Sequence, residues 1–220
     1  MAIEAVIWDF GGVLTTSPFE AFNRFEAARG LPKDLIRGIN AANPHANAWA
    51  RFERGEIGRE VFDRLFLEES TALGHPVRGA DILPALSGEV RPRMVEALTR
   101  CKTRFKVGCI TNNMNHGKGP SMAMDHERAA EVGEVMSLFD AVIESSKTGL
   151  RKPDPKIYLM MCELLAVKPA VCVYLDDLGV NCKPAAELGM TAIKVVSEAQ
   201  ALADLGRVVG LDLAATEAAS

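Results

Sequence analysis

Ala5-Val6-Ile7-Trp8-Asp9-Phe10-Gly11-Gly12-Val13-Leu14 is the stretch on which the fold turns. The apolar run from Ile3 to Trp8, broken only by Glu4, reads as a short buried strand. It stops at a carboxylate, and two glycines follow at once. An α/β protein presents a nucleophile or a metal ligand in this way. A strand carries an Asp to its C-terminal end, and a turn free of side-chain bulk leaves room beside it. Taken alone, the same residues also suit a helix-capping Asp followed by a tight turn. The rest of the chain decides between the two.

Beyond Leu14 the pattern changes to helical spacing. Phe19, Phe22 and Phe25 share one face of a helix that Pro18 opens. Gly30-Leu31-Pro32 ends it, and Leu35, Ile36 and Ile39 mark a second. Residues 46–54 form a third, with Trp49 and Phe52 on one side, and residues 59–73 a fourth, with Val61, Phe62, Leu65 and Phe66 in register. Residues 16–90 thus read as an all-helical insertion. Strict alternation follows: helix 91–103, strand 105–110, loop 114–120, helix 121–138 capped by Ser121, and strand 141–143. Loop 149–155 leads into a helix running to about Leu165, and then come strand 171–175, helix 182–188, strand 191–196 and a last helix capped by Ser197. Strands alternating with helices predict an α/β fold, a three-layer doubly wound parallel sheet with helices on both faces. The Ala-rich tail after Leu213 is expected to fray.

Composition narrows the function classes. A chain of 220 residues with 48% hydrophobic residues can bury a full core, and a net charge of −4 without a basic stripe argues against a nucleic-acid partner. No apolar stretch approaches membrane-spanning length. The five cysteines, Cys101, Cys109, Cys162, Cys172 and Cys182, show no metal or redox spacing and suit a reducing cytoplasm. The N-terminus enters a strand without a basic leader, which also fits a cytoplasmic location. The oligomeric state stays open, and a homodimer through the helical insertion is compatible with the sequence.

Three predicted strands end in polar residues: Asp9, Thr111-Asn112 and Asp176-Asp177. Lys152 lies in a Gly-Leu-Arg-Lys-Pro-Asp-Pro loop before a helix. Each alone is an ordinary turn, cap or surface residue. In a doubly wound sheet, however, the carboxyl ends of the strands share one edge, where ligands bind at the topological switch point. The order Asp9-Phe10-Gly11-Gly12-Val13, Ile110-Thr111-Asn112, Lys152-Pro153 and Leu175-Asp176-Asp177 with Asn181 resembles the four motifs of the haloacid dehalogenase-like hydrolase superfamily. The resemblance covers essentially the whole chain. It implies a Rossmann-like core from residues 1–15 and 91–220, strand order 5-4-1-2-3, and a helical cap from residues 16–90. Glu53-Arg54-Gly55-Glu56-Ile57, Gly149-Leu150-Arg151-Lys152-Pro153 and Leu178-Gly179-Val180-Asn181 add a similarity to the N-terminal phosphatase domain of soluble epoxide hydrolase and to bacterial sugar-phosphate phosphatases.

Carried over, the resemblance implies a phosphatase that hydrolyses a small-molecule phosphomonoester through an aspartyl-phosphate on Asp9. Mg²⁺ would be held by Asp9, Asp177 and the Gly11 carbonyl, with Asp176 as a further ligand or an orienting residue. Thr111 and the Asn112 N–H would hold phosphoryl oxygens, Lys152 would neutralise charge, and Asn181 would bond to Lys152 or to the waters of the metal. One position departs from the pattern. Most phosphatases of the superfamily carry a second Asp two residues after the nucleophile as general acid and base, and here that residue is Gly11. General acid–base help is worth ~10²–10⁴-fold. His45, Glu53, Arg54 and Glu56 in the insertion, and His116 and Lys118 after Thr111, are the candidates to replace it, against an ordinary surface or packing role for each. His126 reads as an exposed helix residue, and Trp8 and Trp49 as core. Two alternatives stay open: a metal-free 2-haloacid dehalogenase, which Gly11 permits, and a non-catalytic module that binds a phosphorylated ligand.

Overall fold

The computed structural model describes residues 2–114 and 126–213. Five strands, β1 (Ala5–Trp8), β2 (Lys106–Thr111), β3 (Ala141–Glu144), β4 (Cys172–Asp176) and β5 (Thr191–Lys194), form one sheet. Every pairing is parallel, in the order β3-β2-β1-β4-β5. This is the expected order, read from the other edge. β1 lies in the middle because it is apolar on both faces. Val6 and Trp8 pack with Leu98, Val107, Leu175 and Leu202 on one side, and Ala5 and Ile7 with Ile157, Met161 and Tyr174 on the other.

Register does the positioning. Trp8 stands opposite Cys109 of β2 and Leu175 of β4. One step further, Asp9 falls level with Asp176. The functional edge is therefore set by hydrophobic pairing below it.

The chain leaves and re-enters the sheet at one place. Thr15 bridges Val90 antiparallel, and Arg91 N–H donates to Leu14 C=O at 2.8 Å. Between these points lie α1 (Pro18–Ala28), α2 (Leu35–Ala41), α3 (Ala48–Glu53), α4 (Arg59–Ala72) and α5 (Gly79–Ile82), followed by a 3-10 turn at Leu83–Leu86. Phe22, Ile36, Ile39, Trp49, Phe52, Phe62 and Phe66 form their own apolar cluster. The Trp49 indole meets Phe22 and Phe62 edge-on, and Phe52 stacks on Phe62 with centroids 4.7 Å apart.

The sheet is flanked by α6 (Pro92–Lys102), α7 (His126–Ser137), α8 (Ser145–Thr148), α9 (Pro155–Leu164), α10 (Gly179–Glu187) and α11 (Glu198–Val209). Several differ from expectation. The four-residue helices α5 and α8 carry too few turns to show a period. α10 starts at Gly179 rather than Cys182, because the Asp176 side chain accepts the Leu178 N–H at 2.8 Å and turns the strand directly into the helix. Ser197 caps α11 as expected, its hydroxyl accepting from Gln200 N–H. The proposed cap Ser121, residues 121–125 of the expected helix and the tail after Leu213 lie outside the described residues. Among the described residues no helix is long and apolar enough to cross a membrane.

Phe62 anchors the α1–α5 cluster, fully buried against Phe52, Trp49 and Phe66. Truncation to alanine is expected to cost about 3–5 kcal/mol. Chemical denaturation of Phe62→Ala beside the parent chain measures it.

Candidate active site

At the C-terminal edge of the sheet, the Lys152 ammonium lies between two carboxylates. Nζ is 2.7 Å from Asp9 Oδ1 and 2.8 Å from Asp176 Oδ2. Lys152 is 1% exposed and Asp176 fully buried. Burial alone would strip the proton from the ammonium, but Asp176 and Asp9 outweigh it and hold the group charged. Among the described residues two of the three ammonium protons are thus engaged, which leaves one for a ligand.

The Lys152 backbone is fixed by Asn112. The Asn112 side chain donates to Lys152 C=O at 3.1 Å and accepts the Lys152 N–H at 2.8 Å. This reciprocal amide pair spans the gap between the end of β2 and the loop before α9. Asn113 fastens the same end of β2 to β3 through Glu144, Ser145 and Ser146. The motif in the sequence points only to the backbone N–H of Asn112. Its side-chain role follows from contacts forty positions away that no local pattern records.

Asp176 and Asp177 are neighbours with opposite environments. Asp176 accepts from Lys152 Nζ, Tyr174 hydroxyl at 2.5 Å, Asn181 Nδ2 at 3.0 and 3.1 Å, and Leu178 N–H at 2.8 Å. Both its oxygens are occupied. Asn181 therefore bonds to Asp176, not to Lys152, and its own C=O accepts the Tyr158 hydroxyl at 2.8 Å. Asp177 accepts one side-chain bond among the described residues, from Ser17 hydroxyl at 3.3 Å. Gly12 makes room for it: φ there is +79°, and a Cβ would sit 2.2 Å from Asp177 Oδ2.

Asp9 sits at the mouth of the turn. Oδ1 takes Lys152 and the Phe10 N–H at 2.6 Å, while Oδ2 takes no donor among the described residues. The amides of Gly11 and Gly12 donate to no acceptor among the described residues, and the turn bonds of Val13, Leu14 and Thr15 all go to Phe10 C=O. Open N–H groups beside a carboxylate form an anion cradle. Thr111 is buried at the end of β2.

Oxygen atoms of Asp9, Asp176 and Asp177 lie within 4.8 Å of one another. Three carboxylates facing one ammonium leave the cluster negative, and its open donors are all oxygen. That donor set fits a hard divalent cation, with Asp9 and Asp177 offering the free atoms. Burial pushes Asp9 up more than Lys152 pulls it down, and Asp176 and Asp177 push the same way. Asp177 is pushed up to about 6 by burial and the charge of Asp176.

The candidate substitutes for a general acid are placed elsewhere or engaged. Glu53 is buried, with Arg151 Nε at 2.7 Å and Trp49 Nε1 at 3.0 Å. Arg54 and Glu56 pair with each other at 2.6 Å. His45 lines a cavity with Arg54, Arg151 and Pro153. His116 and Lys118 lie outside the described residues. His126 is exposed at the start of α7, and Trp8 and Trp49 are core. Gly11 has open space where a side chain would stand.

Comparison with known proteins agrees with this geometry. The model of the haloacid dehalogenase-like hydrolases matches residues 3–189. The chain belongs to that family. This hydrolase is 31% identical over 216 residues to mouse acyl-CoA dehydrogenase family member 10, covering 95% of this chain and 19% of the relative. It is 30% identical over 224 residues to mouse bifunctional epoxide hydrolase 2, covering 96% of this chain and 39% of the relative. It thus spans less than half the length of these two proteins. The sesquiterpene phosphatase astK of Aspergillus oryzae is 27% identical, with 94% of this chain and 97% of that protein covered. Among solved structures, a family enzyme of Bacteroides thetaiotaomicron in complex with magnesium and inorganic phosphate is 18% identical, with TM-score 0.56 over 90% of this chain and 96% of that chain. The L-2-haloacid dehalogenase of Xanthobacter autotrophicus, with chloropropionic acid covalently bound, is 20% identical, with TM-score 0.59 over 93% of this chain and 82% of that chain. Both structural likenesses show the fold.

Asp177 gives the hydrolase a pH signature. Its ordinary value of 3.8 rises to about 6 in the fold. Between those values the folded state holds more protons than the unfolded chain, so stability from this group falls as pH rises through the window. A cation held by deprotonated Asp177 reverses that sign. Added magnesium is expected to raise the thermal midpoint at neutral pH, by a margin that shrinks as pH falls through about 6. Scanning calorimetry across this range checks it; a pH-independent shift would place the cation elsewhere.

Proposed function

We propose that this hydrolase is a magnesium-dependent phosphomonoesterase acting on a small phosphorylated metabolite, a sugar phosphate or a similar organic phosphate. The observation that carries the reading is the asymmetry at Asp9. One oxygen is pinned by Lys152 and Phe10, and the other takes no donor among the described residues. A carboxylate so held is oriented for in-line attack on phosphorus, giving an aspartyl-phosphate that water then cleaves. The third Lys152 proton, the Gly11 and Gly12 amides, Thr111 hydroxyl and Asn112 N–H would take the phosphoryl oxygens. Asp9, Asp177 and the Gly11 carbonyl would hold magnesium, which when bound screens the charge between the two anions that must meet. Asp176, saturated by four groups, would position Lys152 rather than ligate. The phosphatase name of the Aspergillus relative supports the same chemistry.

Helices α1–α5 would serve as the cap over this edge, with residues 16–90 as its extent. A cavity of about 300 Å³ beside Asp177 is lined by Gly12, Ser17, Phe19, Arg37, Arg91 and Lys194. It joins the cap helices to the sheet edge, where a small substrate would enter. The dehalogenase reading draws on Gly11 alone. It leaves Asp177 with no counter-charge of its own, and the metal-dependent reading accounts for both residues.

Steady-state hydrolysis of p-nitrophenyl phosphate tests the proposal. Turnover is expected with magnesium, lost without it, and reduced to background in Asp9→Asn. Absence of turnover together with metal-free chloride release from a 2-haloacid would establish the dehalogenase instead.

Gly11 supplies a second test. Nothing lies within 4 Å of an added Cβ, so Gly11→Asp is expected to fold. It should raise turnover of alkyl phosphates, whose leaving groups need a proton, by ~10²-fold or more, and that of p-nitrophenyl phosphate far less.

A further inference from the structure

We propose that Cys162 and Cys172 are a covalent modification site, a thiol pair that peroxide converts to a reversible disulfide. Their sulfurs lie 4.0 Å apart. Cys162 is on α9, near its C-terminal end, and Cys172 opens β4. The pair therefore sits on the edge of the sheet opposite the carboxylates, about 13 Å along β4 from Asp176 at ~3.3 Å per residue. It belongs to none of the chemistry proposed there.

Three observations select this pair. First, the other three cysteines have no cysteine partner in reach. Burial pushes the Cys101 and Cys182 thiols up to about 12 and Cys109 upward as well, so they remain protonated and inert. Second, Cys162 lines a cavity of about 800 Å³ with Glu4, Leu159, Lys168, Pro169 and Val171. Cys162 is itself 3% exposed, so a small hydroperoxide would approach it through this cavity. Third, contact with Cys172 lowers the Cys162 thiol, and Cys162 is the one of the two that lines the cavity, which makes it the better first nucleophile. Cys172, also directed at Lys168 C=O at 3.3 Å, is fully buried behind it.

The chemistry balances with hydrogen peroxide as the two-electron oxidant. The Cys162 thiolate attacks one peroxide oxygen. An S–O bond forms, the O–O bond breaks, and the departing hydroxide takes up the thiol proton as water. Cys172 sulfur then attacks the sulfenic sulfur. The S–S bond forms, the S–O bond breaks, and hydroxide leaves with the second thiol proton as a second water. Two thiols supply the two electrons. The sulfurs must close from 4.0 Å to about 2.05 Å. A dithiol reductant reverses the reaction by thiol exchange.

The full chain, oxidised with hydrogen peroxide, denatured and alkylated, gives the test. Three of the five cysteines are expected to take the alkyl group, and the intact mass to fall by two hydrogen atoms before alkylation. Cleavage after Glu163 separates the two cysteines, so their peptides should travel together until a dithiol is added. Cys182 shares the second peptide, and the Cys182→Ser variant should cross-link equally. In Cys172→Ser, Cys162 should be trapped as the sulfenic acid and labelled by dimedone. Alkylation of all five cysteines after peroxide, a cross-link that uses Cys182, or absence of dimedone label on Cys162 would each overturn the proposal.

Discussion

A buried ammonium held between two carboxylates is the interaction around which this molecule is arranged. Lys152 pairs with Asp9 and Asp176 in a place that water scarcely reaches. Unpaired, any one of these charges would be too costly to bury. Each must therefore be delivered by an element that has no freedom to withdraw it. Asp9 directly follows β1 and Asp176 ends β4, and the pairing of those strands sets the two level. Lys152 comes from a loop, so its rigidity has to be borrowed, and the Asn112 amide supplies it through two backbone bonds. The apolar pairing of the central strands and the polar contacts at their ends are one construction.

The two consecutive aspartates illustrate how little residue type says about role. Asp176 is surrounded by donors from four directions, including the hydroxyl of Tyr174 two positions earlier on the same strand. It is a fully compensated anion. Asp177 points to the other side of the chain, toward Gly12 and Ser17, and carries a charge that the protein leaves largely unanswered. A strand alternates its faces, so two successive carboxylates at its end are bound to differ. One completes the interior, and the other remains for a ligand.

This explains which parts of the molecule could be read from the chain. Strands such as Val171 to Leu175 and the apolar run before Asp9 are legible because burial on both faces demands uninterrupted hydrophobic residues. The convergence of Asp9, Thr111, Lys152 and Asp176 on one edge is legible because parallel strands all end on the same side. What escapes is whatever depends on a particular side chain folding back. Asp176 caps the turn into α10, so that helix begins three residues before its apolar pattern does. Asn112 and Asn113 look like turn residues and are instead clasps between distant segments. Glu53 and Arg151 are each ordinary surface charges by type. Only the approach of α3 to the loop before α9 makes them a pair.

That last pair links two parts of the molecule that would otherwise be separate. Arg151 reaches up to Glu53 and to Pro44 C=O at 2.8 Å, while its neighbour Lys152 reaches down between the carboxylates. Gly55 adds a second point of touch, where a Cβ would come within 2.7 Å of Ser146 C=O. A single peptide unit thus carries a tether to the helical cluster on one side and the central ammonium on the other. Lifting the helices from the sheet edge breaks the Arg151 contacts to Glu53 and Pro44, one residue from Lys152. Position overhead and charge below are mechanically geared, and the loop between Gly149 and Pro155 is the axle.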